Sequence, residues 1–284
     1  MLQRFIFMIA GALAIAPVLA AVAQQPAPTP RVSAAATPQA TPTPTPAVKS
    51  KDEKPTPIDP KAPLTADQIV EVTIVAYGGR EIMNQIRKTT LERGKLSVQN
   101  AEGKLDSATY QRWIQRADSL EKEKIRFEQD FPTARYSLVF RDAKIFGIYN
   151  DSVFQPREDA SKKFENQIHH SIDALLRYKE NGSTVALAGK DKRLGVEYNM
   201  IDLTDKAGRK TRYYISAKLW RVSALEYEFA GRKYRRQFYD YKVAQGTLVP
   251  RRTVLYEDDK IVEESEIGTI TFGQKVDDGL FPEG

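Results

Sequence analysis

The sequence predicts an α+β fold: a curved antiparallel sheet forming an incomplete β-barrel, with helices covering its concave face. Three observations carry this. After Lys88 the hydrophobic period is close to two, in short runs joined by turn residues. Strands that follow one another through short turns pair antiparallel, because a parallel crossover needs a dozen residues or more. One amphipathic helical stretch, Asp159 to Lys179, interrupts the runs, and the hollow of the sheet is where such a stripe is buried. Ten or so strands are enough for a sheet to curl into a barrel or split into two layers.

The chain opens with a different kind of segment. Met1–Ala23 has one early cation, Arg4, then an uncharged apolar run from Phe5 to Ala20 and the small-residue triplet Ala21-Val22-Ala23. That is the layout of a secretory signal, with cleavage expected after Ala23. The alternative is an uncleaved segment that anchors the chain. Residues Gln24–Pro63 hold eleven of the sixteen prolines and almost no large apolar side chain. Such a stretch cannot offset its ordering entropy and is expected to be a disordered linker, reaching on the order of 100 Å if fully in polyproline II.

Leu64–Gly284 is long enough for one substantial core and is read as one domain. Thr65 to Gln68 form a capping-box pattern before an apolar helical face, and Gly78-Gly79 stop that helix. A second short helix is expected from about Arg80 to Arg87, with Ile82, Met83 and Ile86 on one side. Strands are expected at Thr90–Val98, Lys124–Asp130, Arg135–Phe140, Lys144–Tyr149, Thr184–Gly189 and Val196–Leu203. They continue at Thr211–Ser216, Leu219–Phe229, Lys233–Tyr241, Leu248–Tyr256 and Ile261–Phe272. Turns fall at Asn100–Gly103, Lys206–Gly208, Ala230-Gly231, Gln245-Gly246 and Glu257–Lys260. The long helix places Phe164, Ile168, Ile172, Leu175 and Leu176 in one arc, leaving Lys163, Asn166, His170, Asp173 and Arg177 on its solvent face.

Catalytic chemistry is sparse. The chain has no cysteine, so it has no thiol nucleophile and no disulfide. Its two histidines, His169 and His170, are adjacent and point about 100° apart on a regular helix, one at the stripe edge and one in solvent. Acid pairs at Asp258-Asp259, Glu263-Glu264 and Asp277-Asp278 read as solvated turn or strand acids rather than a facing pair in a cleft. No enzymatic activity and no cofactor is expected. The net charge of +6 falls by one when Arg4 leaves with the signal. That favours anionic headgroups and is far below the density of a nucleic-acid binder, so no nucleic-acid partner is expected. The basic-aromatic run Arg232–Tyr239 is read as a strand with a solvated cationic face and a half-buried aromatic one.

The order of these elements resembles a known group. The leading Ala76-Tyr77-Gly78-Gly79-Arg80-Glu81, the meander with its inserted amphipathic helix, Phe238-Tyr239-Asp240-Tyr241, Gly246–Pro250 and the closing Val276–Phe281 resemble the periplasmic lipoprotein-carrier-like superfamily (outer-membrane lipoprotein-sorting, LolA/LppX-like). The resemblance implies a helix-covered half-barrel that shelters lipid or lipoprotein acyl chains in the envelope, periplasmic or secreted, without catalysis. Envelope membrane proteins and anionic headgroups would be further partners. The candidate lining residues are Phe164, Ile168, Ile172 and Leu176 from the helix, with Leu138, Phe140, Leu225, Tyr227 and Phe229 from strands. The alternative is a structural or interaction module with a filled barrel that binds an envelope polymer or protein.

Overall fold

The computed structural model describes residues 63–283. The expected signal and all but the last residue of the expected linker lie outside the described residues. Helix α1, Ala66–Ala76, opens with the capping box: Gln68 N donates to Thr65 Oγ1 (3.3 Å) and Thr65 N donates to Gln68 Oε1 (2.8 Å). It buries Ile69, Val70 and Ile74. Gly78 then turns the chain at φ +116°, where a Cβ would lie 2.7 Å from the Gly246 carbonyl oxygen. Only glycine fits that approach. Helix α2, Arg80–Ile86, follows.

Among the described residues, thirteen strands form one antiparallel sheet that is not closed into a barrel. The first six are β1 (Thr89–Gln99), β2 (Leu105–Gln115), β3 (Lys124–Phe131), β4 (Ala134–Arg141), β5 (Lys144–Tyr149) and β6 (Ser152–Phe154). The remaining seven are β7 (Thr184–Arg193), β8 (Val196–Thr204), β9 (Lys210–Ser216), β10 (Val222–Phe229), β11 (Arg232–Ala244), β12 (Thr247–Glu257) and β13 (Lys260–Phe272). Their order is β6-β5-β4-β3-β2-β1-β13-β12-β11-β10-β9-β8-β7. The first and last strands therefore meet in the middle, and β6 and β7 are the two edges. The chain between those edges is helical: α3 (Glu158–His169) and α4 (Ile172–Leu176). Joining one edge to the other takes the chain across the concave face, which explains why the helices cover it.

Turn chemistry sets the register. Two-residue turns with both residues at positive φ occur at Asp142-Ala143, Asn150-Asp151, Leu194-Gly195, Ala230-Gly231, Gln245-Gly246 and Asp258-Asp259. This is the hairpin type whose twist matches the strands it joins. The expected turn at Asp258-Asp259 is an exposed tip, as read from the sequence.

Several expectations need correction. Strands β2 and β6 were not anticipated, and the run expected from Leu219 enters the sheet only at Val222. A bulge between Val222 and Ala224 puts Val222 on the same buried face as Leu225, both 0% exposed. The single long helix is two. Helix α3 stops at His170, and Ser171 starts α4 by accepting from Ala174 N at 3.2 Å. Tyr213 OH donates to the Ser171 carbonyl at 2.8 Å and holds the break on the sheet.

The inner face carries two apolar cores. Helix α3 sets Phe164 and Ile168 on Leu96, Tyr110, Ile125, Phe127, Leu138 and Phe140 of β1–β4. Helices α1 and α4 pack on Ile201, Leu203, Tyr213, Ile215 and Leu225 of β8–β10. On the outer face, Phe281 (0% exposed) seats the C-terminal segment against Val139, Phe146 and Ile148. Arg141 Nη1 donates to its carbonyl at 2.6 Å.

Candidate functional site

Between the two cores lies a hollow of about 170 Å³, walled by β1, β2, β11, β12 and β13 and roofed by the α3–α4 break. The pleat decides what it displays. Inward positions on the flanking strands are apolar, whereas the central strands turn Thr90 and Glu92, Arg112, Arg236, and Glu263 toward it, with Arg116 just past the end of β2. Leu96, Ile114, Phe127, Ile267, Ile270 and Phe238 supply its apolar walls.

The charges are organised by ion pairs. Asp173, in the first turn of α4, accepts from Arg87 Nη1 at 2.9 Å and from Arg116 Nη2 at 2.5 Å. Burial alone would raise its pKa, but Arg116 and Arg87 more than offset that and hold its carboxyl below the usual range. Glu123, 1% exposed, receives Arg177, and Arg116 lies 3.4 Å away. On the other side Glu263 accepts from Gln167 Nε2 at 2.9 Å and lies 3.4 Å from Arg236 and 3.5 Å from Lys163. Burial pushes the Glu263 carboxyl up; Arg236, Lys163 and Arg112 bring it below its ordinary value. Glu92 accepts from Tyr110 OH at 2.6 Å, and Arg112 lies 4.5 Å above the Phe127 ring.

His170 closes the roof. Its ring stacks on Tyr227 at 3.9 Å with an interplanar angle of 2°, and its Nδ1 lies 2.7 Å from Thr211 Oγ1. Burial first, and the neighbouring His169 and Arg209 next, push its pKa down to about 4.

The helical residues assigned to solvent are largely not there. His170 is 4% exposed and the side chain of Arg177 14%, because the break at Ser171 rotates α4 and carries Asp173 onto the two arginines. His169 is half-buried, so neither histidine stands free in solvent. Glu263 (4% exposed) is an interior acid, and Arg236 belongs to the inner face with Tyr234 and Phe238 rather than to a solvated cationic face.

The nine candidate lining residues divide. Ile172 walls the hollow. Tyr227 and Phe229 wall a groove beside α3, and Leu176 walls a cleft beneath α2. Phe164, stacked on Phe127 with ring centroids 6.1 Å apart, and Ile168, Leu138 and Phe140 belong to the core over β1–β4. Leu225 belongs to the other. The polar residues of the hollow went unread, and Ser171, a good N-cap inside a helical pattern, was the signal that could have exposed the break. Among the described residues no group of three or more His, Asp or Glu side chains is arranged to hold a metal ion, and no helix is long and apolar enough to cross a membrane.

No family model matches the sequence, and no curated protein matches it. Solved structures do. A DUF1329 family protein from Desulfovibrio piger is 11% identical with TM-score 0.56, over 76% of this chain and 97% of that one. An outer membrane lipoprotein-sorting protein domain from Vibrio parahaemolyticus is 11% identical with TM-score 0.53, over 75% and 97%. A LolA superfamily protein from Nitrosomonas europaea is 11% identical with TM-score 0.53, over 78% and 99%. At this identity the likeness concerns architecture. The chain shares the open, helix-covered architecture of these three proteins.

Proposed function

We propose that this chain is an exported, non-enzymatic envelope protein that binds a hydrophobic ligand, lipid or lipoprotein acyl chains, in its helix-covered half-barrel. The observation that carries this is the hollow between the two cores, with Ile114, Phe127 and Ile270 on its walls and a broken helix as its roof. The shared fold supports it, since one similar structure is described as a lipoprotein-sorting domain. A volume of about 170 Å³ suits a body the size of benzene, so an acyl chain requires the roof to move. The break at Ser171 provides for this. Helix α3 rests on one core and α4 on the other, so α3 can lift while α4 stays in place.

The same small volume favours a second reading, a module whose barrel is filled and which binds an envelope polymer or protein. The two separate on native mass spectrometry of protein purified without detergent, before and after organic extraction. Lipid-sized adducts that vanish on extraction support the carrier. A bare mass, with no uptake after incubation with envelope lipids, rules it out and leaves the module.

A further inference from the structure

We propose that the ligand is an anionic single-chain amphiphile, whose carboxylate or phosphate monoester head sits between Arg87 and Arg116 while its chain passes into the hollow. This rests on the carrier reading above and names the chemistry of its ligand.

Arg87, Arg116 and Asp173 wall two spaces at once: the inner hollow of about 170 Å³ and a cleft of about 540 Å³ beneath α2 and α4. The trio is therefore the partition between the inner hollow and an open mouth. Around that mouth Arg80 is paired with Glu71 and Glu180 and Arg177 with Glu123, while Arg87 and Arg116 share Asp173, Arg116 lying also 3.4 Å from Glu123.

The arginines are also under-partnered. Arg87 and Arg116 have side chains only 10% and 11% exposed, and the Nε of each has no hydrogen-bond partner among the described residues. Thr90, 4% exposed and on the same wall, likewise leaves its Oγ1 without one. Buried donors without acceptors are costly and uncommon. A guanidinium is the donor group whose planar fork fits a carboxylate or a phosphate through two nitrogens. Asp173 shows that the two arginines already converge on one carboxylate, at 2.9 and 2.5 Å. A ligand head would share or replace it. Burial first, and the neighbouring Arg116, lower the Arg87 pKa despite that carboxylate.

Beyond the arginines, Ile114, Ile270 and Phe272 give the hollow an apolar wall beside the charged Glu92, Arg112, Arg236 and Glu263. The chain of a fatty acid or an alkyl phosphate would lie against that apolar wall. A hollow of about 170 Å³ must open even for one chain, which favours a single chain over several.

Delipidated full-length chain is incubated with equimolar dodecanoate and methyl dodecanoate, and in parallel with dodecyl phosphate and with inorganic phosphate, and bound species are counted by native mass spectrometry. Dodecanoate is expected to bind at least 10-fold better than its methyl ester. Arg87→Gln and Arg116→Gln are each expected to bring that preference below 3-fold, dodecanoate losing more than the ester. Arg116→Lys, which keeps the charge but not the fork, should fall between. The wild-type preference needs no variant, so a misfolded mutant does not obscure the answer. Equal binding of acid and ester overturns the headgroup site and leaves the carrier standing. Inorganic phosphate binding as well as dodecyl phosphate overturns the amphiphile in favour of a free anion. No binding of any of the four overturns this inference and the carrier together.

Discussion

Asp173→Asn separates two consequences of the arginine pair. In the native protein its carboxylate accepts one hydrogen bond from each of Arg87 and Arg116, at 2.9 and 2.5 Å. Each such bond to a charged group contributes about 1.5–3 kcal/mol, and stripping the counter-charge from a buried pair costs about 3–5 kcal/mol. Two features pull the estimate down. The amide oxygen of asparagine keeps one acceptor, and the Asp173 side chain is 34% exposed while the arginines are 10% and 11%. A loss of about 2–4 kcal/mol is expected, which for a domain of this size lowers Tm by roughly 5–15 °C. Urea unfolding at pH 7, followed by tryptophan fluorescence, reads it. A cycle with Arg116→Met should show coupling above about 1 kcal/mol. Sulfate, supplying the missing acceptor, should restore stability to the variant more than to the native chain. A loss below about 0.5 kcal/mol with no coupling would place the contact among solvent-screened surface pairs and refute the reasoning.

Other perturbations have equally definite outcomes. His170 is buried neutral with its pKa depressed to about 4, so the unfolded chain takes up its proton first as pH falls. The stability its neutral form supplies is complete above about pH 6.5 and is lost as pH drops toward 4. Unfolding free energies from urea titrations at pH 8 and pH 5 should differ by about 2 kcal/mol more in the native chain than in His170→Asn; an unchanged difference would contradict the burial argument. Phe281→Ala removes a ring that is 0% exposed and should cost about 3–5 kcal/mol in denaturant unfolding. Gly78→Ala forces a Cβ against the Gly246 carbonyl at φ +116° and should cost more than about 1 kcal/mol by thermal melt. Ile172→Asp places a charge on a wall that is only partly buried. It should leave the protein folded by circular dichroism while reducing hydrophobic-probe uptake at least tenfold, whereas unfolding would indicate a filled core.

Local signals were legible where neighbours in sequence are also neighbours in space. The Thr65–Gln68 capping box, the Gly78 stop and the Asp258-Asp259 tip each involve residues a few positions apart. The candidate site was hard to read for the opposite reason. Strand β2 presents Asp106, Ala108, Tyr110, Arg112 and Ile114 on its inner face, so the apolar alternation that marks a half-buried strand is broken where the hollow is polar. Arg236 and Glu263 look like solvated charges until the sheet brings them together. Asp173 lies 86 positions from Arg87, and no local pattern connects them. The apolar stripe of Phe164, Ile168 and Leu176 was read correctly as a buried surface. Burial alone does not distinguish a core from a lining, and Phe164 and Ile168 fall to the core.

The most direct test is to find where a hydrophobic ligand goes. Delipidated protein loaded with a diazirine-bearing dodecanoate, irradiated and digested, should carry the label on peptides containing Ile114, Phe127 or Ile270, the apolar walls of the hollow. Excess unlabelled dodecanoate should remove it. Label confined to outer-face peptides such as those of Val139 or Phe281, or none that competes, would contradict a ligand-binding half-barrel.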